Sequence, residues 1–107
     1  MTSNAMTMFD FDSESVRAVV VDGEPWIVGR DVCRALGLEN ESQALARLED
    51  DERRDGVCII DPIGRQQTPI LISEAGVYRL VFTSRSEAAE RFKRWLAHEV
   101  LPALRKT

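Results

Sequence analysis

The side chains that could carry chemistry in this chain are few. Cys33, Cys58 and His98 are its only thiols and imidazole. A Cys–His nucleophile needs a thiol whose pKa is lowered, and each cysteine sits in an apolar run that raises it. His98 lies among basic residues and reads as an exposed polar side chain. A metal centre needs clustered ligands, yet the cysteines are 25 positions apart, with no paired CxxC and a single histidine. No Walker loop or dinucleotide fingerprint is present, and the glycines act as punctuation. The inventory therefore points away from an enzyme, and no cofactor or metal is expected. Two small buried thiols suit a reducing compartment, which gives the cytoplasm as the expected location.

Phosphate recognition is the chemistry that remains. The net charge is −4, which argues against a nucleic-acid partner, but the charge is unevenly spread. Residues 1–62 hold 14 acids and 6 bases, whereas residues 63–107 hold 4 acids and 8 bases. A basic face is thus compatible with an acidic whole. Arg91, Lys93, Arg94, Arg105 and Lys106 gather near the C-terminal end, with Glu99 the one acid among them. Arg30 and Arg34, one helical turn apart, could extend a phosphate-contacting surface. Ser42, Gln43 and Arg47 fall on a helix that would enter a groove. Arg65 sits in a turn that could act as a wing. The plainer readings are a solvated charged face for the basic cluster and an ordinary polar turn for Arg65.

These side chains need elements to position them. "VRAVVVDGEPWIVG" places β-branched runs on either side of Asp22-Gly23, a hairpin signal. Strands are expected near Val16–Val21 and Trp26–Val28, with Glu24-Pro25 widening the turn. "GRDVCRALGLENESQALARL" changes to helical spacing, with Asp31 in a first turn, Gly37 as a left-handed stop and Asn40/Gln43 as a capping box. Two short helices joined by a tight turn have the outline of a helix-turn-helix. "EDDERRDG" (49–56) reads as a solvated loop. Val57–Ser73 reads as a second hairpin around Asp61-Pro62 and Gly64, with Arg65, Gln66 and Gln67 at its tip. Ser73 caps the next helix, whose stripe is Val77, Leu80 and Val81 with Tyr78 or Phe82 at its margins. Ser84 then starts the last helix.

In that last helix Ala88, Phe92, Trp95, Leu96 and Val100 form the buried face, and Pro102 kinks or ends it. The class is α+β: a small single domain with two β-hairpins and about four helices, including the helix-turn-helix-like pair. Residues 1–8 read as a tag or disordered tail and 9–107 as the domain. No apolar run approaches the ~18 residues of a membrane span.

"RDVCRALGLEN" followed by "ILISEAGVYRLVFTSRSEAAERFKRWLAHEVLPALRKT" closely resembles the Bro-N domain, the N-terminal module of phage and prophage antirepressors and of baculovirus BRO proteins. The family's motifs fall on Asp31–Asn40, Gly64–Gln66, Ile72–Leu80, Ser84–Leu96 and Glu99–Thr107. Leu38, Cys33 and Ile63 depart from its usual aromatic, Ala and Gly. The resemblance implies a non-enzymatic domain that binds double-stranded DNA in a phage or prophage transcription regulator, continuing into a variable C-terminal domain. The alternative is a protein-interaction module that captures and inactivates a phage repressor without touching DNA. A homodimer is left open.

Overall fold

In the computed structural model, which describes residues 4–61, 63–84 and 86–105, the strands are β1 (Asn4–Ala5), β2 (Thr7–Phe11), β3 (Glu14–Val21), β4 (Glu24–Val28), β5 (Arg53–Arg54), β6 (Ile59–Ile60), β7 (Gln66–Gln67) and β8 (Leu71–Ile72). The helices are α1 (Gly29–Leu36), α2 (Glu41–Ala46), α3 (Glu74–Thr83), α4 (Glu87–Trp95) and α5 (Leu101–Arg105), the last two joined by a π turn, Leu96–Val100. The architecture is the expected α+β.

Five strands form an antiparallel sheet in the order β2-β3-β4-β8-β5. Alternation along β3 and β4 gives this sheet two apolar faces. Val16, Ala18, Ile27 and Ile72 join one core with residues of the helices. Val19, Val21, Val28 and Leu71 join another with Ile59, covered by the small sheet β1-β6-β7. Val19 and Val21 are buried in the second core, whereas Val20 between them is 39% exposed.

Several elements differ from the sequence expectation. Register pairs Val21 with Glu24, so Asp22-Gly23 is a two-residue turn that Glu24-Pro25 does not widen. Both turn residues have positive φ, 53° and 80°, as the strand-matching primed turn requires. Pro25 pairs with Val20 inside β4, one step beyond the closing pair. Its missing N–H therefore points away from β3, to a side where pairing with β8 begins only at Ile27.

Strand also occurs within residues 1–8. β1 lies parallel to β6, and β2 pairs with β3 around Asp12-Ser13. The second hairpin pairs β6 with Gln66–Gln67, so only Arg65 of the expected trio stays in the turn, while Leu71–Ile72 crosses to the large sheet between β4 and β5. The 49–56 segment holds more than loop: Arg53–Arg54 is the edge strand β5, and Glu52 is buried.

The helix ends follow local chemistry. Gly37 stops α1 at φ 75°. Asn40 Oδ1 accepts the Gln43 N–H at 3.1 Å, and Ser73 Oγ accepts the Gly76 N–H at 3.1 Å. α4 begins after Ser86 rather than Ser84, and its buried alanine is Ala89, not Ala88. Phe92, Leu96 and Val100 are fully buried, Trp95 and Val81 only half, and Phe82 is 91% exposed. The helical run does not end at Pro102. The preceding residues open into a π turn, in which the Leu101 N–H reaches the Leu96 carbonyl. The wider turn takes up the mismatch that a proline forces on a regular helix.

Candidate nucleic-acid interface

The helix pair is set by one close approach. A Cβ on Gly29 would lie 2.7 Å from Leu45 Cδ2, so a larger residue there would have to push the Leu45 side chain aside where α1 seats against α2. The Gly29 N–H is held by the Ile70 carbonyl at 2.9 Å, tying α1 to the segment between β7 and β8. Arg30 and Arg34 stand exposed on α1, and Ser42, Gln43 and Arg47 are exposed on or just after α2.

Asp31 does more than complement the helix dipole. It is 2% exposed, and its two oxygens take the Arg17 Nε–H at 2.8 Å, a second guanidinium N–H at 3.0 Å and the Arg17 backbone N–H at 3.0 Å. A further Arg17 N–H bonds Gln67 Oε1. The Asp31 hydrogen bonds push the Arg17 pKa above its ordinary value, against the cost of burial. Arg34 approaches the same carboxylate at 3.8 Å. Asp61 organises the neighbouring turn. Burial opposes its ionisation, but the Arg65 backbone N–H and guanidinium and the Ile63 N–H outweigh it and hold its pKa below the ordinary value. Arg65 reaches Asp61 Oδ2 at 2.9 Å and stays 70% exposed.

The arginines expected to contact nucleic acid fall into separate groups. Arg34 and Arg65 line one cleft of about 390 Å³ with Arg17, Asp31, Asp61 and Gln67. Arg30 and Ser42 line another, of about 460 Å³, with Glu41, Arg53 and Thr68. Gln67 of the first lining and Thr68 of the second are consecutive in the chain, and Arg34 and Arg30 lie one turn apart on α1. Gln43 and Arg47 line a third cleft, between α2 and α3, with Arg79.

The basic residues of the final helix line none of these three clefts. Arg91 pairs with Asp12, and Arg105 with Glu74 at 2.7 Å. Arg94 is exposed and has no ion-pair partner among the described residues. Lys106 lies outside the described residues.

Sequence reading missed Arg17 and Arg53. An arginine inside the apolar run of β3 was a signal for a buried ion pair, since such a residue is seldom buried alone. Arg53 was hidden among the acids of 49–56. Its guanidinium donates to the Leu45 carbonyl at 2.9 Å and pairs with Asp55 at 3.2 Å. Cys33 is fully buried, and burial pushes its thiol up to about 11; Cys58 is half-buried, and the two form no disulfide. No helix among the described residues is long and apolar enough to cross a membrane.

The chain is 39% identical to a Haemophilus influenzae protein, over 92% of this chain and 49% of that relative. It is 28% and 26% identical to two Bro-N domain-containing proteins of Invertebrate iridescent virus 6, over 77% and 78% of this chain and 24% of each relative. The chain thus spans half or less of the length of these relatives. No solved structure matches it. The profile of the BRO family N-terminal domain, Bro-N, matches residues 15–102, and the chain belongs to that family.

Proposed function

We propose that this domain binds double-stranded DNA, as part of a phage or prophage transcription regulator, through the face made by α1, α2 and the β6–β7 hairpin. The observation that carries this reading is a pair of clefts, one lined by Arg65 and Arg34 and the other by Arg30 and Arg53, beside a helix pair whose polar residues are exposed. Guanidinium contacts to phosphate supply affinity, whereas base contacts supply preference. α2 has six residues, about 9 Å of helix. That length passes roughly three base-pair steps of ~3.4 Å, matching the reach of Ser42, Gln43 and Arg47. Among the described residues of the final helix, Arg94 is an exposed arginine with no ion-pair partner. The ion pairs of Arg91 and Arg105 are exposed and worth only about 0–1 kcal/mol, so both can be exchanged for phosphate.

The second reading, capture of a repressor protein, has its own observation. Phe82 is 91% exposed beside a cleft lined by Tyr78, Val81 and Ala89. Such a side chain suits an apolar protein contact better than a phosphate.

A titration with mixed-sequence duplex DNA at two salt concentrations separates the readings. The parent is compared with Arg30/Arg34/Arg65→Ala and Arg91/Arg94/Arg105→Ala variants, each first shown to be folded. Each lost phosphate contact should lower the salt slope by about one, and the first variant should lose more than the second. Salt-independent behaviour, or no binding by the parent, sinks the DNA reading in favour of repressor capture.

A further inference from the structure

The tip of the β6–β7 hairpin combines tight tethering with an apolar end turned outward. The Asp61 carboxylate accepts the backbone N–H of Ile63 at 3.1 Å and of Arg65 at 2.8 Å, the Arg65 Nε–H at 2.9 Å and the Gln67 side-chain amide at 3.4 Å. The Asp61 backbone closes the turn from both sides, donating to the Arg65 carbonyl at 3.0 Å and accepting from Gly64 at 2.9 Å. Gly64 takes φ 91°, a conformation that suits glycine. Ile63 is nonetheless 75% exposed. A side chain held in water gives the fold no burial, and a polar residue would serve the turn equally well.

The tip does not stand apart from the proposed interface. Ile63 and Arg65 share a cleft with Arg34 of α1, and Met8, 48% exposed, lines the same cleft. A hairpin tip beside a helix pair can reach the groove next to the one the helix occupies. The minor groove is only about 6 Å wide. It admits an apolar side chain against the sugars and base edges, and a flanking arginine against phosphate. A turn already fixed by Asp61 loses little conformational freedom on entering it.

Resting on the DNA reading above, we propose that the tip of the β6–β7 hairpin carrying Ile63 and Arg65 is a minor-groove wing, with Ile63 as its apolar contact and Arg65 on an adjacent phosphate. Ile63→Gly removes the side chain and leaves the Asp61 carboxylate its bonds to the backbone N–H groups of residues 63 and 65.

The test uses the full chain and an A·T-rich duplex, with netropsin as a minor-groove competitor. Ile63→Gly should keep the parent's thermal midpoint and bind roughly tenfold more weakly, in line with the transfer free energy of one aliphatic side chain. Ile63→Leu should bind like the parent. Netropsin should weaken the parent by a similar factor and leave Ile63→Gly unchanged. Equal affinity of parent and Ile63→Gly, or a loss in Ile63→Gly with no netropsin effect on the parent, overturns the wing while leaving DNA binding in place. Unfolding of Ile63→Gly makes Ile63 a structural residue and overturns it too. A parent that binds no duplex removes the DNA reading and the wing together.

Discussion

Gly76 shows how much a single residue can carry without any side chain. It is buried in α3, and a Cβ there would lie 2.8 Å from the Glu52 carbonyl oxygen and 3.3 Å from Ile72 Cβ. That carbonyl already accepts the Ser73 N–H at 2.9 Å, so it has little freedom to move. Gly76→Ala, normally favourable in a helix, should here destabilise by about 1–3 kcal/mol, read as a lower urea midpoint. The Glu52 side chain is as constrained, taking the Arg79 Nε–H at 2.7 Å and the Glu49 N–H at 2.9 Å. These bonds, the Arg79 one foremost, hold its pKa below 4.5. A carboxylate depressed in the folded state stabilises fully above its unfolded pKa, and the contribution disappears as pH falls through the folded value. Asp61 follows the same rule. The thermal midpoint should therefore be flat down to about pH 5 and fall below it, and Glu52→Gln should lower the neutral-pH midpoint while flattening the acid limb. Neither residue was legible in the sequence. A glutamate in a run of acids reads as solvated, because its partner, Arg79, lies 27 positions away.

At the scale of elements, legibility followed the strength of local chemistry. Asp22-Gly23, Gly37, Asn40 and Ser73 act within a few residues and were readable. The Asp12-Ser13 turn has φ of 48° and 72° without any glycine, a conformation that short polar side chains tolerate and seldom announce. β5 has two residues and exists only because β8 lies beside it. The final helix was readable as an apolar stripe but not in its depth. Phe92 is fully buried and sits 5.1 Å from Phe11 and 5.3 Å from Trp95, centroid to centroid. Trp95 also meets Phe9 and Phe11, at 6.2 and 5.1 Å, and remains half-buried. Phe92→Ala should cost roughly 3–5 kcal/mol. Trp95→Ala should cost less, because part of that ring is already in water. Chemical denaturation of both variants orders them, and the reverse order would misplace the two rings.

Across the whole molecule, folding bridges part of the charge polarity of the sequence. Acids of the first half are met by arginines of the second: Asp12 by Arg91 and Glu52 by Arg79. The arginines that line the clefts beside α1 are scattered between residues 30 and 65, so a count by halves of the chain does not reveal them. β2 shows the same long-range logic. It precedes the stretch that matches the family profile, residues 15–102, yet supplies Phe9 and Phe11 to the aromatic cluster. Removing residues 1–13 should uncover Trp95, red-shift the tryptophan emission and lower the unfolding midpoint, whereas an unchanged spectrum would show β2 to be dispensable. The Asp12–Arg91 pair links residues 79 positions apart. At a synthesis rate of ~5–20 residues per second, that stretch takes roughly 4–16 s to emerge. Throughout that interval Phe9 and Phe11 have no ring of α4 to pack against. The first strands of this domain must therefore wait on the ribosome with an apolar face uncovered, and the core closes only when α4 has been made.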